Sequence, residues 1–155
     1  MWRDFFNSYG CPCIFGGPAT LEEMRGLEKT LGATLPADLR GILQEANGVN
    51  IVPPYFEDID EEEGASLQVI WTTGEIVEQN TYYRASTLWV KTAPVHSRDL
   101  LFFASTPNGD QIAYELAYGN VTGPKILAMS HEDGTQQTIS PSLNEYLTSL
   151  LEACR

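Results

Sequence analysis

The feature that most constrains this chain is an unbroken apolar run, Leu100–Ala104, in a sequence of 155 residues. A strand formed by this run has no polar face, so both of its faces must be covered, as they are in a central strand between helical layers. A membrane-spanning helix needs about 20 apolar residues, and this run, the longest in the sequence, is far shorter. The run therefore predicts a strand at the centre of a sheet.

A second strand follows the apolar run after a short turn. Ile112, Tyr114 and Leu116 alternate with other positions and should all point to one face of the sheet. Between the two strands, Pro107 favours a type I turn, and Gly109 can take the left-handed conformation of a bulged hairpin. We therefore predict an antiparallel hairpin at this point of the chain.

Helical periodicity is clearest in four segments. Aromatic residues at helical spacing predict a short amphipathic helix at the N-terminus that ends at Gly10. Thr20 and Glu23 have the spacing of a capping box, so a helix should begin at Thr20 and end at Gly32. The other two helices are predicted from Pro36 to Asn47-Gly48 and from Ser140-Pro141 or Ser142 to the apolar positions that end at Cys154.

The remaining segments complete a prediction of fold class. Strands are expected over residues 67–71, 125–130 and 136–139, and a helix over residues 73–83. Residues 10–19 are expected to form a connector and residues 49–66 an acidic loop. The sequence therefore predicts a single α+β domain over residues 1–155, with a mainly antiparallel or mixed sheet flanked by helices and an N-terminal extension over residues 1–19.

Charge and cysteine content narrow the classes of function. Nine basic against 21 acidic residues give a net charge of −12, which disfavours nucleic acid and anionic membranes and favours a basic protein partner. The N-terminal residues lack a basic region followed by a long apolar stretch, so we expect a cytoplasmic protein. The odd number of cysteines, Cys11, Cys13 and Cys154, favours a reducing compartment.

The order of the predicted elements resembles a known superfamily. The residues that carry the resemblance are Leu31-Gly32 followed by Leu35-Pro36, Asn47-Gly48, Asn108-Gly109-Asp110 before Tyr114, and the segment Ser142–Leu147. From Thr20 to the C-terminus this order resembles the SUKH superfamily, whose best-known branch contains the fungal cell-wall assembly regulator. The resemblance implies a non-enzymatic protein. It also implies either an immunity protein that neutralises a polymorphic or contact-dependent toxin, often a nuclease, or a regulatory interaction module.

Candidate partner-binding residues cluster in and near the acidic loop. Clustered carboxylates can steer a basic partner, and exposed aromatic residues are the type that anchors protein interfaces. The candidates are Tyr55, Phe56, Glu57, Asp58, Asp60, Glu61, Glu62, Glu63, Tyr82, Tyr83 and Trp89. The alternative interpretation is that the charges form a solvated loop and that the aromatic residues belong to the core.

Other patterns that suggest chemistry are weaker. Cys11 and Cys13 could bind a metal, but no second pair of ligands has a recognisable spacing. The acidic stretch has neither the glycine nor the final glutamate of a calcium loop. His131 is explained by a turn that ends at Gly134, and a hydrolase using His96 or His131 lacks a nucleophile at a diagnostic spacing. We therefore predict no enzyme activity, no metal and no cofactor.

Overall fold

Helices and antiparallel strands make up this computed structural model, which describes residues 1–54, 66–86 and 97–154. Across these residues the chain forms five α-helices and eight strands. The helices are α1 (Trp2–Asn7), α2 (Leu21–Leu31), α3 (Ala37–Glu45), α4 (Thr73–Ala85) and α5 (Leu143–Glu152). The strands are β1 (Cys13–Phe15), β2 (Val49–Ile51), β3 (Leu67–Ile70), β4 (Leu100–Ser105), β5 (Gln111–Ala117), β6 (Asn120–Val121), β7 (Ile126–Met129) and β8 (Gln136–Ser140).

The described strands form two sheets. One sheet has the order β1-β2-β3, and the other has the order β4-β5-β7-β8 with β6 paired to β5. Every pairing is antiparallel. The amide of Trp71, next to the end of β3, donates a hydrogen bond to the carbonyl of Phe103 in β4 at 2.9 Å, so the two sheets meet at this point. The predicted α+β class is confirmed.

Helix ends follow the capping chemistry of the sequence. Thr20 caps α2 and Glu23 completes the predicted capping box. Thr72 and Glu75 form a second capping box at the start of α4, which the sequence analysis did not identify. Gly32 ends α2 in the predicted left-handed conformation, and Ser142 rather than Ser140 caps α5.

Strand β4 is as deeply buried as its apolar sequence requires, and Leu100–Ala104 are all 0% exposed. Its predicted place at the centre of a sheet is only partly right, because β4 lies at one end of the five-stranded order. The side chain of Asn80 on α4 takes the place of a neighbouring strand there. Its amide accepts from the Phe102 N–H at 2.9 Å and donates to the Phe102 carbonyl at 2.8 Å. A buried edge is stable in this form because its polar groups have partners.

Two segments predicted to be irregular contain strands. The connector over residues 10–19 contains β1, and the loop predicted over residues 49–66 begins with β2. Cys13 pairs with Ile51 and Phe15 with Val49, so the two strands that the sequence did not predict pair with each other. Three-residue strands carry too little periodicity to be recognised, and the pairing joins positions far apart in the chain.

The N-terminal segment is an integral part of the fold rather than an extension. Helix α1 ends before Gly10 as predicted, and the Glu45 carboxylate accepts hydrogen bonds from the amides of Trp2 and Arg3 at 2.9 and 3.0 Å. Phe6 is 1% exposed and packs edge-to-face against Phe15. The N-terminal residues are therefore held by α3 and by the first sheet. Among the described helices, none combines the length and apolar character needed to cross a membrane.

Candidate protein-interaction surface

The two neighbouring tyrosines predicted to bind a partner have different environments. Tyr83 is half-buried, its ring lies 5.0 Å from that of Phe102, and burial raises its pKa. Tyr82 is 59% exposed and stands edge-to-face against Tyr83, with the ring centroids 5.2 Å apart. Tyr83 therefore supports the fold, and Tyr82 presents an aromatic ring to solvent on a rigid helix.

The end of α4 that carries Tyr82 is fixed to its surroundings by Arg84. The guanidinium group donates to the carbonyl of Leu31 at 2.6 Å and to the carbonyl of Leu100 at 3.3 Å. Partial burial lowers the pKa of Arg84 from its ordinary value. The arginine therefore joins the C-terminal ends of α2 and α4 to the start of β4.

A third exposed tyrosine lies in the turn between β5 and β6. Tyr118 and Gly119 have φ angles of 53° and 78°, which is the pattern of a type I′ hairpin turn. Glycine adopts this conformation without strain, whereas tyrosine does so at a cost of about 1 to 2 kcal/mol. The side chain of Tyr118 is fully exposed, so no packing within the fold offsets this cost.

The turn that carries Tyr118 is held rigidly. The amide of Thr34 donates to the carbonyl of Gly119 at 2.8 Å. A Cβ atom at position 119 would lie 2.3 Å from the carbonyl oxygen of Gly32, so the turn is in close contact with the C-terminal end of α2. The exposed tyrosine is therefore presented in one backbone conformation. Rigid aromatic residues of this type lose little entropy on binding.

We define the tyrosine surface as Tyr82, Tyr118 and the end of α2 at residues 31–34. Both tyrosines come from elements that contact this end of α2. Arg84 contacts α2 at Leu31, and Gly119 contacts it at Gly32 and Thr34, so both exposed tyrosines come from elements fixed to the same helix end. Two ion pairs involve the same elements, since Glu28 of α2 pairs with Arg40 and Glu115 of β5 pairs with Lys125. Helix α4 and the turn after β5 each present an exposed aromatic ring, which is a type of group enriched in protein interfaces.

Most of the predicted binding residues lie outside the described part of the chain. Tyr55, Phe56 and the acidic residues from Glu57 to Glu63 belong to residues 55–65, and Trp89 and His96 belong to residues 87–96. Of the predicted partner-binding residues, the structure therefore places Tyr82 and Tyr83. The residues beside these segments are described, and Asn50 donates from its side-chain amide to the Ser66 hydroxyl at 3.0 Å.

His131 joins two turns. Its main-chain amide and its Nδ1 atom lie 3.0 and 2.8 Å from Oδ1 of Asp110, and these hydrogen bonds lower the pKa of Asp110. The predicted turn is confirmed, because Gly134 has a φ of 72° and donates to the Ser130 carbonyl. The ring also lies over Gly109. A structural role in joining the β4–β5 and β7–β8 turns accounts for these contacts.

The three cysteines come close together, although two lie near the start of the sequence and one near its end. Cys11 and Cys154 are buried, and Cys13 is half-buried. Burial raises the pKa values of Cys13 and Cys154 to about 11, so both remain protonated thiols with little nucleophilic character at neutral pH. Within residues 1–54, 66–86 and 97–154, no three His, Cys, Asp or Glu side chains are grouped so that they could hold a metal ion.

Comparison with known families now adds to this geometry. The fold is that of an α+β domain with antiparallel sheets, and its exposed tyrosines are of the type that binds other proteins. A family model described as SMI1-KNR4 cell-wall matches residues 21–147. The chain belongs to this family, within the SUKH superfamily that the sequence predicted. No curated protein matches the chain. Membership supports a protein-binding domain of the toxin-immunity or cell-wall-related type, and such domains are generally non-catalytic.

Sequence reasoning missed Tyr118 as a candidate. The signal present in the sequence is Tyr118-Gly119-Asn120, in which a glycine and an asparagine mark a tight turn. The turn can be recognised from these residues. Full exposure of the tyrosine and its left-handed backbone cannot, because both depend on how the turn packs against the end of α2.

Proposed function

We propose that this chain is a cytoplasmic immunity protein that binds and neutralises a cognate toxin domain. Family membership supports protein binding of the toxin-immunity or cell-wall-related type. The finer choice rests on charge, because a chain with a net charge of −12 is suited to a strongly basic partner. Nucleases carry basic surfaces that bind phosphate groups, so a nuclease toxin is the partner class that this charge favours.

The distribution of charge within the fold is the observation that carries the proposal. Several described cations are engaged within the protein, since Arg40 and Lys125 pair with carboxylates and Arg3 and Arg84 donate to main-chain carbonyls. Since 21 acidic residues outnumber nine basic ones, many acidic groups lack a compensating cation, and their field extends into solvent. Such a field can raise the association rate with a basic partner by about 10-fold to 1,000-fold, and salt weakens it.

The proposed interface combines two types of group. The acidic residues from Glu57 to Glu63, with Tyr55, Phe56 and Trp89, remain proposed contacts. Tyr82 remains one as well, with Tyr83 as its support, and Tyr118 is added to them. In this arrangement the carboxylates accelerate encounter and the exposed aromatic rings supply short-range affinity, which is the usual division between steering charges and buried anchors.

Co-expression with the product of the adjacent gene tests the proposal. Toxin activity should fall when the wild-type chain is present, and the two proteins should purify together. One variant neutralises Glu61, Glu62 and Glu63, and a matched control neutralises the exposed Glu22, Glu78 and Glu152, so both variants carry the same net charge. We expect a slower and less salt-dependent association for the first variant than for the control.

Two outcomes would redirect the proposal. Equal slowing in both variants would mean that overall charge, and not the acidic segment, steers the partner. Failure of the wild-type chain to protect against any toxin encoded beside it would contradict the immunity function. The second candidate, a regulatory or scaffolding module, is favoured by the cell-wall description of the family. It predicts stable association with housekeeping proteins of the same cell.

A further inference from the structure

A small polar cavity lies where two turns meet at one end of the five-stranded sheet. Its volume is about 170 Å³, and it is lined by Asp110, Ala128, Ser130, Thr135, Gln136 and Gln137. None of these residues was identified as a binding residue from the sequence. The cavity is large enough for the end of a long side chain, since a water molecule takes up only about 30 Å³.

The pairing of three strands forms the cavity. Ala128 in β7 lies opposite Ile112 in β5 and opposite Gln137 in β8. Directly paired residues point to the same face of a sheet, and residues two apart along a strand share that face. Asp110 and Ser130 lie just outside the adjacent ends of β5 and β7, two residues from Ile112 and Ala128, and both line the cavity. The small alanine side chain leaves space between its larger neighbours and forms the floor of the cavity.

The chemistry of the lining selects a cation. It contains one carboxylate, two hydroxyl groups and two carboxamides, and among the described residues no Lys or Arg lines it. Oδ1 of Asp110 accepts two hydrogen bonds from His131, which hold the carboxylate ionised. Within residues 1–54, 66–86 and 97–154, the hydrogen-bond partner of Asp110 Oδ2 is the Asn108 side chain at a long 3.5 Å, so this oxygen can accept a stronger bond.

We propose that this cavity binds the guanidinium group of an arginine side chain from the protein partner. The planar fork of a guanidinium group can donate to Oδ2 of Asp110 and to a carboxamide oxygen such as that of Gln137. The inference rests on the proposed function, because it assigns a specific contact to a basic partner.

The test uses the full chain and a small probe in place of the partner. Nα-acetyl-arginine methylamide is titrated into isotopically labelled protein and followed by amide NMR shifts, with the citrulline analogue as an uncharged probe of similar shape. We expect saturable shifts at Ala128, Ser130 and Gln137 for the arginine probe, with a dissociation constant on the order of 1 to 10 mM. Equal shifts with both probes, or none with either, would overturn the proposal.

Three variants locate the binding. Asp110→Asn should weaken the arginine probe by about 10-fold or more, because a charge-assisted bond is lost. Glu132→Gln changes a neighbouring carboxylate that does not line the cavity, and it should leave affinity within about 3-fold. Since Asp110→Asn also disturbs the contact with His131, Ala128→Leu fills the cavity from its floor without changing any charge. Unchanged arginine binding by Ala128→Leu would contradict the proposal.

The probe experiment does not depend on the toxin, so the two proposals can fail separately. Arginine binding without protection against a toxin would support the cavity and contradict the immunity function. Protection without arginine binding would support the immunity function and contradict the cavity. If both hold, Ala128→Leu should also weaken capture of the toxin, whereas Glu132→Gln should have a much smaller effect.

Discussion

Strand β4 and the turn at Tyr118 differ in whether packing within the fold accounts for their residues. In β4 the apolar side chains are buried, and the outer-edge groups of Phe102 and Phe103 are met by Asn80 and Trp71. Tyr118 has a strained backbone and a fully exposed side chain. Folding explains each residue of the strand. It does not explain a tyrosine at position 118, where asparagine or glycine would be less strained, whereas the proposed contact with a partner would explain it.

The strongest test of the β4 region is Asn80→Leu. The substitution removes both hydrogen bonds to the Phe102 backbone and leaves a buried N–H and a buried carbonyl without partners. Each unsatisfied group costs about 1 to 3 kcal/mol, so we expect a loss of about 3 kcal/mol in the free energy of unfolding, measured by urea denaturation.

The matched control is Asn144→Leu, which makes the same exchange at an exposed position of α5. It should change the free energy of unfolding by no more than about 0.5 kcal/mol. Similar losses in the two variants would mean that the Asn80 amide does not close the edge of β4, and the contrast with the Tyr118 turn would lose its structural basis.

The same contrast explains which parts of the fold could be predicted. The apolar run of β4 and the Thr20–Glu23 capping box are local signals, and both gave correct elements. Strands β1 and β2 are stabilised by pairing with each other across more than 30 residues, which no local pattern records. Gly16 shows the same limit, because a Cβ there would lie 2.2 Å from the Asn47 carbonyl oxygen. Its need for glycine is visible only in three dimensions.

The rigidity of the Tyr118 turn can be tested with Gly119→Ala. An added Cβ would lie 2.3 Å from the Gly32 carbonyl, and alanine disfavours a φ of 78°. We expect a loss of about 1 to 3 kcal/mol in unfolding free energy. The control is Gly123→Ala, where a Cβ meets no atom within 4 Å and φ is not left-handed, and it should be nearly neutral. Equal effects would mean that the turn is not fixed against α2.

The candidate interaction surface could be predicted only in part. Tyr82 was identified because aromatic residues near an acidic segment suggest an interface, and its exposure is consistent with that role. Tyr118 and the cavity beside Asp110 were missed for one reason. Each is produced where a turn meets another element, α2 in one case and the β7–β8 turn in the other. Sequence patterns locate turns, but they do not show what the turns pack against.

A smaller effect of opposite sign is expected from Tyr118→Asn. Asparagine tolerates the left-handed conformation better than tyrosine does, and no contact is lost because the ring is fully exposed. The free energy of unfolding should rise by about 0.5 to 1 kcal/mol while affinity for the partner falls. The comparison is Tyr82→Asn, which makes the same exchange in α4 but removes the edge-to-face contact with Tyr83, so it should lower the free energy of unfolding by about 0.5 to 1.5 kcal/mol. Destabilisation by Tyr118→Asn would show that the ring serves the fold.

The smallest expected effect concerns the contact between Asp110 and His131. This contact tests whether the end of the sheet at these two turns is like β4, where polar groups have partners within the fold. The pKa of Asp110 is lowered in the folded state by its hydrogen bonds with His131. Stability from this contact is therefore present above the unfolded pKa of about 4 and is lost as pH falls through the lower folded value. Unfolding free energies from pH 6 to pH 2 should show a shallower acid slope for Asp110→Asn than for the wild type. In a chain that also carries His131→Ala, Asp110→Asn should change the slope less, because the bond from the imidazole is lost while the main-chain amide of residue 131 still donates to the carboxylate. An unchanged difference would mean that the imidazole does not stabilise the ionised carboxylate, and that the main-chain amide of residue 131 alone joins Asp110 to the β7–β8 turn.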